Sequence, residues 1–141
     1  MTTLLAFVAG RPAPQGSKRH VGNGIMVESS KAVKPWRQDI REACLVDGQP
    51  RVHFGQGVGV SVNLVFVMPR PTSLPKTKPT PPHTKRPDID KLARAVLDAI
   101  GSAGVWVDDS QVTLLRQSKR YAALGEPPGC HIFLNSMRRD P

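Results

Sequence analysis

The run Val58–Val67 limits the possible folds of this chain more than any other stretch, because its apolar side chains recur with a period of two. Val58, Val60, Val62, Leu64 and Phe66 alternate with Gly59, Ser61, Asn63, Val65 and Val67. Successive side chains of a strand point to opposite faces, so the pattern buries one face of a sheet. A long strand near the sheet centre is expected. Directly after it, Pro69–Pro87 carries seven prolines with Arg70, Lys76, Lys78, Lys85 and Arg86, and shows no hydrophobic periodicity. That composition predicts a mobile, largely extended basic loop.

Beyond Pro87 the period becomes helical. Ile89, Leu92, Val96, Ala99 and Ile100 share one stripe, while Asp90, Arg94 and Asp98 line up at i, i+4 and i+8 on another face. Asp88 suits the N-cap, Asp90 then lies in the first turn where the helix dipole favours a negative charge, and Gly101 supplies a C-terminal stop. The short apolar run Val105–Val107 follows, then the turn-forming Asp108-Asp109-Ser110, then a strand-like Val112–Tyr121.

If that turn folds back, it brings Asp109 to the helix start beside Asp88 and Asp90. Three carboxylates from two elements would make an oxygen-rich pocket suited to a hard divalent cation such as Mg²⁺. The plainer alternative leaves Asp88 as a cap, Asp90 as a dipole-favoured charge and Asp108-Asp109 as a turn. Against it stands the gathering of acids at one locus of a basic chain. Their mutual repulsion calls for a bound cation or for surrounding Lys and Arg.

The stretch PDIDKLARAVLDAIGSAGVWVDDSQV, Pro87–Val112, resembles the signature of RusA-type Holliday junction resolvases, small metal-dependent endonucleases common in phages and prophages. That pattern is an Asp-x-Asp opening a helix, a basic residue one turn on, a further Asp, and an aromatic before Asp-Asp-x-Gln-Val. By position, the resemblance implies metal-binding or catalytic roles for Asp88, Asp90 and Asp109, with Asp108 close by, and Mg²⁺ as the cofactor with Mn²⁺ able to substitute. Arg94 stands where the family usually has Lys, and Lys91 where Asn is common. Arg keeps its charge and can grip a phosphate in a bidentate fork, but does not act as a titrating acid. Arg94 is therefore expected to act electrostatically; the alternative is a solvated helix charge paired with Asp90 or Asp98. The resemblance further implies a mixed sheet with helices that pairs into an intertwined homodimer. A two-fold enzyme can present equivalent sites to two strands of a four-way junction, whose own symmetry is approximately two-fold.

Charge points to the same kind of partner. Twenty Lys and Arg against eleven Asp and Glu give a net charge of +9, with a pI near 10.3. A polyanion, most simply nucleic acid, is the expected ligand. No long apolar run, amphipathic basic helix or signal peptide is recognised, so no membrane association and a cytoplasmic location are expected. Cys44 and Cys130 are the only cysteines and lack a CxxC spacing, which supports neither disulfides nor a zinc site. His131 reads as structural.

The rest of the chain completes the outline. Leu4–Ala9 reads as a first strand, followed by a polar, basic segment from Pro14 to His20 in which Lys18 and Arg19 are candidate phosphate contacts. The family resemblance, weaker here, favours a DNA-facing loop. Gly22-Asn23-Gly24 suits a hairpin turn between His20-Val21 and Ile25–Val27. Ser29 or Ser30 can cap a helix through Ala32, Val33, Trp36, Ile40, Ala43 and Cys44, with Pro35 in its first turn. Trp36 is expected in the core or a dimer interface rather than stacking on bases. Asp47–Gly57 reads as a connecting loop, and Cys130–Asn135 as a last strand after a turn at Pro127-Pro128-Gly129. Met137–Pro141 reads as a frayed tail.

The expected architecture is one α+β domain over residues 1–141, a mixed β-sheet flanked by two main helices, RusA-like and dimeric. The expected activity is Mg²⁺-dependent, structure-selective cleavage of Holliday junctions, with no small-molecule cofactor. Asp88, Asp90, Asp109 and Arg94 would do the chemistry. Lys18, Arg19, Lys76, Lys78, Lys85, Arg86 and Lys91 would hold DNA. A non-catalytic nucleic-acid-binding protein and a metal-dependent nuclease of flaps or other branched DNA are the alternatives.

Overall fold

Val60, Val62, Leu64 and Phe66 are all fully buried on β6 (Val60–Met68), which lies inside a four-stranded sheet. The structure is a computed structural model and describes residues 3–16, 18–20, 26–28 and 31–137; side chains at 18–20 and 26–28 are outside that set. The sheet order is β1 (Thr3–Ala9), β8 (Gly129–Ser136), β6, β7 (Val112–Tyr121). β8 runs antiparallel to both β1 and β6, and β7 runs parallel to β6. A parallel pair needs a crossover rather than a tight turn. The Pro-rich loop and α2 (Ile89–Ser102) provide it.

One sheet face carries Leu4 and Val8 of β1, Cys130, Ile132 and Leu134 of β8, and Val60, Val62, Leu64 and Phe66 of β6. Both helices cover that face through a single core cluster. α1 (Val33–Ala43) buries Val33, Trp36 and Ile40, and α2 buries Leu92, Ala93, Ala95, Val96, Ala99 and Ile100. Full burial of a Leu, Ile or Phe is worth roughly 1.5–3 kcal/mol, so this cluster holds the helices on the sheet. The α+β class, the mixed sheet, the two main helices and the central long strand agree with the sequence expectations. Trp36 is core, packed against Gly10, not a stacking platform.

Two expectations change, and others gain detail. Asp47–Gly57 is not all loop: β4 (Leu45–Val46) and β5 (Gln49–Pro50) pair across Asp47-Gly48, both with positive φ. An Asp-Gly pair favours such a turn, and only its short strands hid it. Gly101 is not the stop of α2, which runs on to Ser102 and ends before Gly104, whose φ of +84° fits the left-handed position after a helix. In the loop after β6, the Arg70 guanidinium donates to Thr80 Oγ1 at 2.9 Å and to the Pro75 and Ala122 carbonyls at 3.0 and 3.3 Å. Arg70 thereby folds the loop on itself instead of reaching outward. The hairpin forms between β2 (Lys18–His20) and β3 (Met26–Glu28), while its Gly22-Asn23-Gly24 turn lies outside the described residues. Ser29, Ser30 and residues 138–141 of the tail lie outside them as well. α1 begins after Ala32, which makes no side-chain cap.

Candidate active site

α2 opens with Asp88 at its N-cap in extended backbone, φ −68° and ψ 141°. The Asp88 carbonyl accepts from Leu92 N–H at 3.2 Å, yet its carboxylate makes no capping hydrogen bond. The reading of Asp88 as a simple cap therefore loses its main interaction. On the exposed face of the helix, Asp90, Arg94 and Asp98 line a groove of ≈ 350 Å³ together with Ala93 and Leu97. Its far wall is Val112, Leu115 and Gln117 of β7, and Trp106 and Asp109 close the remaining side. Arg94 makes no ion pair with Asp90 or Asp98; among the described residues, the one ion pair joins Arg120 and Glu126. An unpaired guanidinium between carboxylates is available to an anion that enters the groove.

Asp109 is placed by a tight local structure. A single 3₁₀ turn, Asp109–Gln111, links Val107-Asp108 to β7. The buried Gln111 side chain accepts from the N–H groups of Val107 and Asp108 at 2.7 and 2.9 Å. It donates to the carbonyls of Phe54, Gly55 and Val58 at 3.2, 2.8 and 3.1 Å. Ser110 Oγ donates to the Asp108 carboxylate, so Asp108 is engaged within the turn. Asp109 Oδ1 accepts from Trp106 Nε1 at 2.9 Å and lies against Gly101, where an added Cβ would approach it to 2.9 Å.

That contact corrects one expectation. The turn carries Asp109 to the far end of α2, not back to its start. Eleven residues of helix separate Asp90 from Gly101, about 16 Å along the axis at 1.5 Å per residue. Among the described residues, no group of three or more His, Cys, Asp or Glu side chains is arranged to hold a metal ion. The exposed oxygen donors match the chemistry of a hard cation, but their placement within one chain does not assemble the three-acid set.

The basic residues divide as well. Lys85 and Arg86 line a second cleft, Lys76 and Lys78 are exposed on the Pro-rich loop, and Lys91 is half-buried on α2. The side chains of Lys18 and Arg19 fall outside the described residues. Sequence reasoning did not assign Gln117 or Trp106 to the groove, nor Lys119 to the support of the segment that enters α2. Lys119 sits two residues before the buried Tyr121, a strand period that could have placed it on the helix face. Neither thiol is a nucleophile: burial pushes Cys44 up to about 11 and Cys130 to about 12.

A basic α+β domain with an acid-lined groove along one helix has the features of an enzyme acting on a polyanion. The chain belongs to the RusA endodeoxyribonuclease family: the family model described as Endodeoxyribonuclease RusA matches residues 9–133 of the 141. The protein is therefore an endodeoxyribonuclease of the Holliday junction resolvase type, and the non-catalytic alternative is set aside. No curated protein matches the chain significantly. No helix among the described residues is long and apolar enough to cross a membrane.

Proposed function

We propose that the protein resolves four-way DNA junctions by paired, Mg²⁺-dependent phosphodiester hydrolysis, as a homodimer in the cytoplasm. The observation that carries this reading is the groove in which Asp90, Asp98 and Asp109 surround an unpaired Arg94 in a chain of an endodeoxyribonuclease family. Asp88, Asp90 and Asp109 are the residues that would hold Mg²⁺, or Mn²⁺ in its place. Such an ion, when bound, lowers the pKa of a coordinated water and polarises a phosphodiester.

The separation of the acids bears on the assembly. Asp88 and Asp90 stand at one end of α2 and Asp109 at the other, so a second copy with α2 reversed would bring the two ends together. A two-fold dimer does this twice and presents two equivalent sites to two strands. Arg94 would stabilise the charge that develops on the cleaved phosphate. Lys18, Arg19, Lys76, Lys78, Lys85, Arg86 and Lys91 would hold the DNA backbone, which makes binding steeply salt-dependent.

The test is a mobile four-way junction in Mg²⁺, beside linear duplex, a flap and the Asp90→Asn variant. Symmetrical paired nicks from wild type only, with the variant still binding, support the reading. Equal cutting of flaps and junctions would make it a general branched-DNA nuclease, and uncut junctions under Mg²⁺ and Mn²⁺ would end the metal-site assignment.

A further inference from the structure

A second cleft, of ≈ 310 Å³, opens beside the start of α2 and shares no lining residue with the acidic groove. Its charged lining is Arg11, Arg70, Lys85 and Arg86, with His83, Tyr121, Met68 and prolines completing the walls. No carboxylate among the described residues lines it. Arg11, Lys85 and Arg86 have no ion-pair partner among the described residues, and the Arg70 fork is bound only to neutral oxygens. The His83 ring packs on Tyr121 with centroids 4.5 Å apart. Burial and the charge of Lys119 hold its imidazole below the ordinary value. Four cations face one cavity with no counter-charge among the described residues, an arrangement that an entering anion relieves.

The strand below explains how this cleft relates to the groove. Leu115, Gln117, Lys119 and Tyr121 share one face of β7, with Leu115 and Gln117 in the acidic groove and Tyr121 in the basic cleft. Four residues of strand place Tyr121 about 13 Å beyond Gln117. The volume equals about ten waters at ~30 Å³ each, enough for a phosphodiester group and part of its sugar.

We infer that this cleft is a phosphate subsite, in which Arg11, Lys85 and Arg86 seat one backbone phosphate of the DNA a few nucleotides from the bond held at the acidic groove. The subsite sets the register of the strand, and Arg11 is its diagnostic residue because it comes from outside the Pro-rich loop. Free inorganic phosphate offers the same chemistry, and the test separates the two sources. The inference rests on the family's activity on DNA and not on the junction preference.

Four-way junctions carrying a single uncharged methylphosphonate linkage, walked outward from the branch point, are bound by wild type, Arg11→Gln, Arg11→Lys and the distant Lys34→Gln in Ca²⁺. Cleavage plays no part in this readout, so failure of the resolvase reading would not disturb it. One linkage position should weaken wild type and Lys34→Gln about tenfold, the scale of one charge-assisted contact. The same position should weaken Arg11→Gln clearly less than wild type, since only Lys85 and Arg86 remain to lose that charge, while Arg11→Lys keeps the interference and thermal melts show all variants folded. Arg11→Gln should also lower the slope of log affinity on log salt by about 1. Uniform effects at every linkage, or additive losses in Arg11→Gln, would overturn the subsite. So would Arg11-dependent competition by millimolar inorganic phosphate without any position-specific interference, since that marks a site for the free ion.

Discussion

The ammonium of Lys119 on β7 donates to the carbonyl of Pro87 at 2.8 Å, and to that of Lys85 at 2.7 Å. One side chain of the sheet thus fastens the segment that delivers Asp88 and Asp90 to the start of α2. It stands on the strand face between the acidic groove and the basic cleft.

Lys119→Met should remove both bonds while keeping the aliphatic stem. The carbonyls can be rehydrated at this half-open position, so the expected loss is about 1.5 kcal/mol, the low end of the range for hydrogen bonds to a charged group. Cleavage should fall more than DNA binding, because the entry to Asp88 loosens. Thermal melts and single-turnover cleavage read the two effects, and Lys119→Arg should recover part of both. Equal losses of binding and cleavage would deny Lys119 a positioning role.

Gly101→Ala should behave opposite to the usual rule. In a helix this change ordinarily stabilises by roughly 0.5–1 kcal/mol. Here the new methyl would meet Asp109 Oδ1 at 2.9 Å and Trp106 Nε1 at 3.0 Å. Asp109 is expected to shift and nicking to drop at least tenfold, with the melting temperature changing by only a few degrees. Unchanged nicking would remove Asp109 from the chemistry.

Gln111→Ala should be among the more damaging single changes away from the apolar core. Five backbone groups lose their bond to the Gln111 side chain, though the Gly55 carbonyl keeps the Val58 N–H, and about 3 kcal/mol of stability is expected to go. Urea unfolding measures it. Gln111→Glu should be at least as costly, since a carboxylate would face three carbonyl oxygens.

Glu126 and Arg120 form a two-pronged pair at 2.6 and 2.8 Å, and Arg120 together with the Ala123 N–H draws the Glu126 carboxyl from 4.5 down to about 2. A carboxyl lowered in the folded state stabilises above the unfolded value and loses that contribution as pH falls from about 4.5 toward 2. Both side chains are partly exposed and screened by water, so the pair is worth only ~0.5–1 kcal/mol at pH 7. Glu126→Gln should therefore be slightly weaker than wild type at pH 7, with the difference shrinking through that acid window. Urea midpoints at several pH values decide it; a constant difference would contradict the pairing.

The sequence by itself determined the elements whose signals are local. Alternation along Val58–Val67 specified a buried central strand, helical spacing specified α2, and the Asp-x-Asp and Asp-Asp-x-Gln-Val runs marked where the chemistry gathers. Even the use of Asp88 at an N-cap followed from its neighbours in the chain, because caps and periods depend on residues a few positions apart. The tertiary structure decided what depends on distant contacts. Gln111 anchors the Asp109 turn to carbonyls more than fifty residues away, and Lys119 and Arg70 tie down a proline-rich loop whose composition alone suggested a mobile, extended segment. The direction of the turn after α2 is also tertiary: packing of Trp106 against Gly101 sends Asp109 to the end of the helix rather than its start. No local periodicity encodes that choice, since it is made by which surfaces fit together once the sheet and helices have met.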